Sequence, residues 1–358
     1  MFEYFQARKR EIAQRLELLF DEKSQELGRV NPLGRDLCER LYAFALSGKM
    51  IRGGLVSLGC SAVRGSDPSD DQRPLVTSAG AAMELLQSGL LVHDDIMDRD
   101  TIRRGLKSVF FQYAEMAEGA GIADSYHIGE SLGICAGDVA YFLAFEILGR
   151  LELPPATYRE IASLTARELG YVGVAQMQDI YAGAADAAVL DDEVLKLYLY
   201  KTGRYTFSLP LMVGGLIAEA RPEVIATLER LGETLGIIFQ IKDDEIGLFG
   251  EAAETGKPVG SDIKEGKKTL YYGYLQRRAT GADLERLRGI FGNSEIGESE
   301  VRYVRELTER LGIRREIQER ADNLAESTRK LIDTLSAAGS PERGIFLGLL
   351  DYSLARTR

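Results

Sequence analysis

The chain has 358 residues, of which 45% are hydrophobic, so it can bury a large core and is not globally disordered. It carries 44 Lys and Arg against 55 Asp and Glu, which gives a formal net charge of −11 at pH 7. This balance argues against a nucleic-acid-binding protein, because proteins that depend on phosphate contacts are usually basic.

Cysteine usage and hydropathy favour a cytoplasmic protein with no membrane span. Cys38, Cys60 and Cys135 form no Cys-x-x-Cys pair, which indicates reduced thiols rather than a disulfide framework or a zinc site. The first residues lack the basic-then-apolar order of a signal peptide. We find no uninterrupted run of about 18 apolar residues, so we expect no transmembrane helix.

Apolar residues recur at three- and four-residue spacing along most of the chain, which predicts amphipathic helices rather than strands. In chain order, the predicted helices include Ile12 to Lys23 and then cover residues 34–46, 52–64, 74–98, 107–117, 129–150, 157–182, 192–217, 222–248, 267–278, 300–335 and 341–356. The breaks between them are short and polar, so we predict one all-α domain, residues 1–358, built as a single large helical bundle. The most apolar segments should be central, namely 74–98, 129–150 and 222–248.

Several predicted helices contain internal glycines, each of which costs about 1 kcal/mol relative to alanine. Such residues either let two helices approach closely or leave room for a ligand between them, and we favour close approach. The positions are Gly89, Gly133, Gly170, Gly173, Gly214, Gly215 and Gly236.

Two of the apolar helices end in clusters of aspartates, Asp94-Asp95-x-x-Asp98 and Asp243-Asp244. Asp94 and Asp98 lie four residues apart on one helix face, so both can reach the same ion. Carboxylates this close repel each other unless a proton or a cation neutralises them. Mg²⁺ suits this role, because it binds carboxylate and phosphate oxygens together. A solvated acidic face is the simpler alternative, but each cluster ends an apolar stretch.

Basic residues accompany both clusters. Lys49 and Arg52 lie three residues apart at the start of a predicted helix. The remaining basic positions are Arg103, Arg104, Lys201, Lys257, Lys267 and Lys268. Arg binds phosphate through paired hydrogen bonds and Lys as a point charge. Metal-binding carboxylates together with separate cations suit a protein that binds two diphosphates, one through metal and one through cations alone.

At these residues the chain resembles the trans-isoprenyl diphosphate synthases, the polyprenyl synthetase family, and among them most the geranylgeranyl diphosphate synthases. The similarity extends over residues 30–356, and its motifs occur in the family's order. They are Gly48-Lys49-x-x-Arg52, Asp94-Asp95-x-x-Asp98, Arg103-Arg104-Gly105, Gly137-Asp138, Gln176-x-x-Asp179, Lys201-Thr202, Phe239-Gln240-x-x-Asp243-Asp244, Thr255-Gly256-Lys257-Pro258 and Glu265-Gly266-Lys267-Lys268-Thr269. The C-terminal Tyr352-x-x-x-Arg356-x-Arg358 is similar to a family ending that approaches the active site.

The resemblance implies a bundle of the isoprenoid synthase type with a central active-site cavity, and a homodimer. It also implies a transferase that adds isopentenyl diphosphate to dimethylallyl, geranyl or farnesyl diphosphate. About three Mg²⁺ ions, or Mn²⁺ in their place, would be bound by Asp94, Asp98 and Asp243. By the same resemblance, the residues on the allylic diphosphate would be Arg103, Lys201, Lys257 and Lys267. Those on isopentenyl diphosphate would be Lys49, Arg52, Gln87 and Arg104, with Thr202 and Gln240 beside the carbocation.

In one position the chain departs from the family, because Gly247 stands where the third aspartate of the second motif is usual. A weaker third metal site, or a catalytically impaired regulatory subunit, is the alternative that this leaves. A class I terpene cyclase also ionises allylic diphosphates with aspartates and Mg²⁺. It needs no second diphosphate site, so Lys49, Arg52 and Arg104 favour the synthase.

The residues that precede the first aspartate cluster should set the length of the product. Those that lie on nearby helix faces, counted back from Asp94, are Met83, Leu86, Gly89 and Leu90. In this family an aromatic residue five positions before the cluster stops elongation early. Gly89 leaves space at that position, so we expect geranylgeranyl diphosphate as the main product, with a longer product as the alternative. Phe142 or Phe145 of a neighbouring helix would then complete the floor of the pocket.

Overall fold

The computed structural model describes residues 1–184, 190–250, 260–336 and 338–356, and these residues form an all-α fold, as predicted. The helices, numbered in chain order, are α1 (Phe2–Leu27), α2 (Leu33–Leu46), α3 (Ile51–Arg64), α4 (Arg73–Met97), α5 (Val109–Gly119), α6 (Ser125–Gly149), α7 (Pro155–Ala184), α8 (Asp191–Leu197), the π-helix π1 (Tyr198–Ser208), α9 (Leu209–Ile217), α10 (Pro222–Phe249), α11 (Ser261–Lys264), α12 (Leu270–Arg278), α13 (Ala282–Ile290), α14 (Glu298–Arg310), α15 (Ile313–Leu335) and α16 (Pro341–Ala355).

Several local features differ from the predicted elements, and the short helices α11 and α13 lie outside every predicted segment. The segment 192–217, predicted as one helix, contains π1 between α8 and α9. The segment 300–335 is two helices, because Gly312 adopts a left-handed conformation (φ 68°) between α14 and α15. A short antiparallel hairpin, β1 (Ile102–Arg103) and β2 (Leu106–Lys107), joins α4 to α5.

The chain divides into two compact units, each of which is described by itself. Unit 1 comprises Met1–Ala162 and Pro210–Ala220, and unit 2 comprises Ser163–Leu209 and Arg221–Arg358. That residues 1–358 form one domain therefore stays a prediction.

In unit 1, α4 packs against α1, α3 and α6, and α6 packs against α5. Glycines bring some of these elements into close contact. A Cβ on Gly214 of α9 would overlap the carbonyl oxygen of Val56, and one on Gly133 of α6 would lie 2.7 Å from the Phe110 side chain. Close helix approach, predicted from the glycines, is confirmed at these positions.

Two helices of unit 1, α4 and α6, are long and apolar enough to cross a membrane by length and composition alone. In α4, 72% of the most apolar 18-residue window is buried inside the structure, and in α6 the share is 44%. Such helices are weak support for a membrane span, because the core helices of soluble proteins pass the same test. The lower value for α6 reflects an apolar face that unit 1 leaves exposed.

In unit 2, α10 packs against π1, α14, α15 and α16. Gly236 of α10 meets Gly203 of π1 so closely that a Cβ at position 236 would overlap the neighbouring backbone. A further apolar cluster that includes Leu275, Val304 and Ile317 fills the space between α12, α14 and α15. The C-terminal α16 lies against α10, the helix that carries the second aspartate cluster.

Candidate active site

The first aspartate cluster ends α4 in unit 1. Asp94 and Asp98 are partly exposed, and the Asp98 amide donates to the Asp94 carbonyl oxygen (2.8 Å) in the last turn. Asp95, in contrast, is fully buried, and burial raises its pKa to about 7 against the opposing charge of Arg103. Arg103 Nε donates to Asp95 Oδ1 at 2.5 Å. Asp95 therefore anchors Arg103, and Asp94 and Asp98 are the carboxylates that solvent reaches.

Arg103 is held among three carboxylates, two from this cluster and the third from Asp100. Besides Asp95, its guanidinium pairs with Asp94 at 3.4 Å and with Asp100 at 3.3 Å. Arg103 was predicted to bind a diphosphate, and the structure places it beside aspartates of the predicted metal site. A cation in this position lowers the repulsion between the carboxylates.

Arg103 ends β1, and Arg104 is the first residue of the tight turn that follows. Arg104 (φ 54°) and Gly105 (φ 76°) both adopt left-handed conformations, as a two-residue hairpin turn of type I′ requires. The Nη1 atom of Arg104 donates to Ser47 Oγ at 3.4 Å. A Cβ on Gly48 would lie 2.8 Å from the same Nη1, so the glycine makes room for the arginine.

A buried glutamate of α4 brings the predicted cations of the second diphosphate site together. Glu84 accepts a hydrogen bond from the Gly53 amide at 2.8 Å, in the first turn of α3, directly after Arg52. Burial raises the pKa of Glu84, and the charges of Arg52 and Arg104 oppose this shift. The pKa of Arg104 is lowered, mainly by burial. The charge of Glu84 opposes this shift, and the charge of Arg52 adds to it. The three charged groups are thus near neighbours.

Two more predicted residues belong to the same region of unit 1. Gln87 lies one turn after Glu84 on α4, is 6% exposed, and its Oε1 atom has no hydrogen-bond partner among the described residues. Lys49 is exposed and precedes Met50, whose left-handed conformation (φ 53°) leads into α3. A buried acceptor without a partner beside exposed and half-buried cations is typical of a site that a polar ligand completes.

The second aspartate cluster lies on α10 in unit 2. The side chain of Asp243 is 49% exposed, and its Oδ1 accepts a hydrogen bond from Arg356 Nη2 at 2.8 Å. The same guanidinium lies over the ring of Phe239, with 4.0 Å between Cζ and the ring centroid. Arg356 thus contacts the aspartate that was predicted to bind metal.

Asp244 turns into the protein. It accepts hydrogen bonds from the Tyr198 hydroxyl and from Gln240 Nε2, the latter at 2.9 Å. Burial raises the pKa of Asp244 well above its usual range. Tyr198 in turn accepts a hydrogen bond from the Leu270 amide at 3.0 Å. Asp244 therefore orients Gln240 and links α10 to π1 and α12.

The π-helix presents Lys201 and Thr202. Lys201 pairs with Asp179, the aspartate of the Gln176-x-x-Asp179 motif on α7. Both side chains are partly exposed, so a phosphate oxygen can reach the lysine. The structure thus gives Lys201 an acidic partner that the sequence analysis did not assign to it.

The structure also gives a reason for Gly247. A Cβ at this position would overlap the carboxylate of Asp262, so a third aspartate here would press two acidic groups together. Lys267 pairs with Glu265 at 2.7 Å and with Asp262 at 3.5 Å. Lys257 was also assigned to the allylic diphosphate, and it lies outside the described residues.

The residues predicted to form the pocket for product length lie on α4 as expected, but the space at Gly89 is filled. A Cβ on Gly89 would lie 2.6 Å from Tyr141 Cε1 and 2.9 Å from the Gly137 carbonyl oxygen of α6. Met83 and Leu86 are each 2% exposed, and Leu90 is half-buried. Phe142 is 69% exposed, so within one chain it does not line a floor.

Within the described part of the chain, no three His, Cys, Asp or Glu side chains are grouped as ready-made metal ligands. The two partly exposed carboxylates of the first cluster nevertheless suit Mg²⁺, which is usually bound in proteins by one or two carboxylates together with water and substrate phosphates. The donor set of Asp94 and Asp98 therefore fits a metal whose coordination a diphosphate completes.

Sequence reasoning missed several partners of the predicted residues. Glu84 and Tyr198 lie outside the family motifs. They organise the site through contacts with residues that are distant in the chain. Asp95, Asp179 and Arg356 do lie in quoted motifs. For Asp95 a signal was available, because adjacent residues of a helix cannot share one face.

Comparisons with known proteins identify the family and the fold of this chain. A family model described as polyprenyl synthetase matches residues 37–308. The geranylgeranyl pyrophosphate synthase of Geoglobus acetivorans is 31% identical over 340 residues, which cover 94% of this chain and 96% of that protein. The geranylgeranyl diphosphate synthase of Saccharolobus solfataricus is 32% identical over 269 residues, or 74% of each chain.

One solved structure that resembles this chain is described as geranylgeranyl pyrophosphate synthase from Corynebacterium glutamicum complexed with isoprenyl diphosphate and magnesium. It has a TM-score of 0.87 and 27% sequence identity, and the match covers 98% of this chain and 99% of that chain. The fold of the described residues is therefore that of a known group of all-α proteins.

The contact of Arg356 with Asp243 leads to a prediction about metal binding. Replacing Arg356 by Gln removes a cation that competes for one oxygen of Asp243. We expect the Kd for Mn²⁺, titrated without any diphosphate and followed by electron paramagnetic resonance, to fall about two- to fivefold. Arg329→Gln is the control, because Arg329 pairs with the surface residue Asp351 and should leave the Kd unchanged. Equal Mn²⁺ affinity in the wild type and in Arg356→Gln would contradict this interpretation.

Proposed function

This chain belongs to the polyprenyl synthetase family, and from that premise we propose that it condenses isopentenyl diphosphate with an allylic diphosphate to make mainly geranylgeranyl diphosphate. It is an enzyme that transfers prenyl groups in trans. The observation that carries the proposal is the grouping of Arg52, Arg104 and Gln87 around Glu84, a cation-based site for a second diphosphate. The family match runs through both units, which supports one catalytic domain.

The residues that would hold Mg²⁺ are Asp94, Asp98 and Asp243, with about three ions expected and Mn²⁺ an acceptable substitute. Bound Mg²⁺ neutralises the allylic diphosphate and stabilises the charge that develops on it as the leaving group. Asp94 and Asp243 keep an exposed or partly exposed carboxylate for this purpose. The missing third aspartate at Gly247 leaves the site beside Asp243 with fewer protein ligands.

Basic residues complete the binding of the allylic diphosphate. We assign this role to Arg103, Lys201 and Lys267, and to Lys257 by its motif. In the structure Lys201 and Lys267 pair with carboxylates of their own unit, so each exchanges or shares that partner when the substrate binds. The C1–O bond then breaks, the electron pair leaves with the diphosphate, and an allylic carbocation remains.

The second substrate is held by cations alone. Lys49, Arg52 and Arg104 bind the diphosphate of isopentenyl diphosphate, and Gln87 supplies a polar contact from α4. The double bond of isopentenyl diphosphate attacks C1 of the allylic cation. The released diphosphate then accepts the proton that is lost from C2 of the isopentenyl unit. No side chain is needed as a base.

Two oxygen dipoles stabilise the carbocation in this proposal. Gln240 donates a hydrogen bond through Nε2 to Asp244. The amide oxygen of Gln240 therefore stays available for the cation. Thr202 supplies the second oxygen from π1. Both oxygens carry a partial negative charge, which lowers the energy of the cation when it points toward C1.

Turnover by the purified chain tests the function. With Mg²⁺ and isopentenyl diphosphate, we expect dimethylallyl, geranyl and farnesyl diphosphates to be elongated, with geranylgeranyl diphosphate as the main product by chromatography. Asp94→Asn should lower kcat about 10²-fold or more, because it removes a carboxylate that binds the metal. Asp70→Asn, at an exposed position between α3 and α4, is the control.

Two results would contradict the proposed function. Hydrocarbon released from farnesyl diphosphate alone would point to a class I terpene cyclase. Absence of turnover by the single chain, with altered products when a partner synthase is added, would point to a regulatory subunit.

The buried side chains of α4 suggest how product length is set. Gly89 packs against α6, so we assign the pocket to Met83, Leu86 and Leu90 rather than to space at Gly89 itself. Replacing Leu86 by Ala should deepen the pocket and shift the products toward longer chains, measured as the distribution of chain lengths. Leu85→Ala is the matched control, because Leu85 is equally buried but points to another face of α4. An unchanged distribution for Leu86→Ala would remove Leu86 from the pocket.

An exposed apolar face supports a homodimer. On α7, Val174, Met177 and Tyr181 are 68%, 70% and 79% exposed, and Gly170 and Gly173 have nothing within 4 Å. A second copy of the chain would cover this face and allow the close approach that the glycines permit. We propose that the second copy also covers the exposed apolar face of α6. Both α4 and α6 are then core helices rather than membrane spans, which agrees with a cytoplasmic enzyme.

Replacing Val174 by Arg places a charge in the middle of the proposed interface. We expect the mass measured by sedimentation or light scattering to fall from two chains toward one. Val30→Arg, at a site that is 77% exposed between α1 and α2, should leave the mass unchanged. A wild-type protein that is monomeric at micromolar concentration would refute the dimer.

A further inference from the structure

A buried ion cluster in unit 2 has no part in the reaction as described so far. Arg204 of π1 is 8% exposed, and its guanidinium lies among Glu168 of α7 and Glu229 and Glu233 of α10. Its Nε and Nη2 atoms donate to the two oxygens of Glu168 at 2.7 and 2.8 Å. Nη2 also donates to Glu229 at 2.5 Å, and Nη1 donates to Glu233.

The chemistry of this cluster calls for arginine. A guanidinium has five N–H donors in one plane and can bind three carboxylates at once, whereas a lysine ammonium is a compact point charge. Glu168 is fully buried, so it depends on charge-assisted hydrogen bonds for its stability inside the protein. Arg167 adds only a longer contact with Glu168, at 3.4 Å. The cluster therefore fixes α7, π1 and α10 relative to one another.

The same three elements carry residues of the candidate active site. Lys201 and Thr202 are on π1, Asp179 pairs with Lys201 from α7, and Gln240 is on α10. Arg204 follows Lys201 by three residues, which is less than one turn of a π-helix. A shift of π1 along α7 or α10 would therefore displace Lys201 and Thr202 together.

Hydrogen bonds and ion pairs, rather than the close glycine contact alone, restrain π1 along α7 and α10. Gly203 and Gly236 let π1 and α10 approach closely. At the end of π1, Ser208 Oγ donates to the Glu229 carbonyl oxygen at 2.9 Å. At the start of π1, the Tyr198 hydroxyl donates to Asp244 of α10, and Lys201 itself pairs with Asp179 of α7. Arg204 contacts both of these helices at once, through Glu168 of α7 and through Glu229 and Glu233 of α10.

We propose that Arg204 is a positioning residue for the prenyl transfer, because its contacts with Glu168, Glu229 and Glu233 fix the register of π1 and hence the place of Lys201. The inference rests on the proposed function in one respect, the contact of Lys201 with the allylic diphosphate. It goes beyond that function by assigning a role in catalysis to a cluster that touches neither substrate.

The test compares Arg204→Lys with Arg8→Lys in the full-length protein. Arg8 is also buried (5%) and pairs with two carboxylates, Glu11 and Asp67, but within the described part of the chain it contacts none of the residues assigned to the substrates. For Arg204→Lys we expect kcat/KM for the allylic diphosphate to fall about tenfold or more, while KM for isopentenyl diphosphate stays within about twofold. Arg8→Lys should leave both values unchanged.

A double variant separates positioning from stability. Arg204→Gln leaves Glu168 buried without its main partner, so the melting temperature should fall. Adding Glu168→Gln removes the stranded charge and should restore part of the melting temperature, but not kcat/KM for the allylic diphosphate. Full kinetic rescue by the double variant, or normal kinetics in Arg204→Lys, would overturn the proposal. If Arg204→Lys does not fold, Glu229→Gln should give a smaller change in the same direction, and normal kinetics there would overturn the proposal too.

Binding of inorganic pyrophosphate in the presence of Mg²⁺ keeps this test apart from that of the function. Should the wild type make no prenyl product, the proposed function fails. The inference then depends on calorimetry, in which Arg204→Lys should weaken pyrophosphate binding about fivefold or more relative to Arg8→Lys. Equal affinities of the two variants would refute it.

Discussion

Neighbouring residues of an α-helix point about 100° apart, so two adjacent aspartates cannot both face one ligand. The chain meets this constraint in both of its aspartate clusters. Asp95 is fully buried against Arg103, and Asp244 is buried against the Tyr198 hydroxyl, whereas the preceding aspartate of each pair stays accessible to solvent. Burying a carboxylate is costly unless it is paired and hydrogen-bonded, and each inward aspartate has such a partner.

The inward aspartates also organise the groups that the reaction needs. Asp95 holds Arg103 beside the partly exposed Asp94, and Asp244 holds the Gln240 amide by its nitrogen. Each pair of aspartates therefore combines one candidate metal ligand with one residue that orients a neighbour. Replacing either inward aspartate would be expected to disturb the site even though neither is assigned to the metal.

Much of the fold follows from local patterns. Periodicity identified most of the helices, because an amphipathic helix records its buried face in its own sequence. The π-helix and the hairpin turn at Arg104-Gly105 were missed, since neither has a strong local signal in this chain. Gly89 also shows that a local pattern does not reveal packing between helices. Its small size was visible in the sequence, but whether it faced open space or Tyr141 depended on how α4 packs against α6.

The sequence by itself determined the all-α class and the spacing that places Asp94 and Asp98 on one helix face, because these properties depend on residues that are near in the chain. It also determined the family, because the motifs and their order can be read without knowing which residues meet in space. Only the tertiary structure decided which partner each charged group has. Lys201 pairs with a carboxylate 22 residues away, and Arg356 pairs with one 113 residues away. Such pairs form when distant elements pack together, and the free energy that selects them comes from the burial of whole helices rather than from any local pattern.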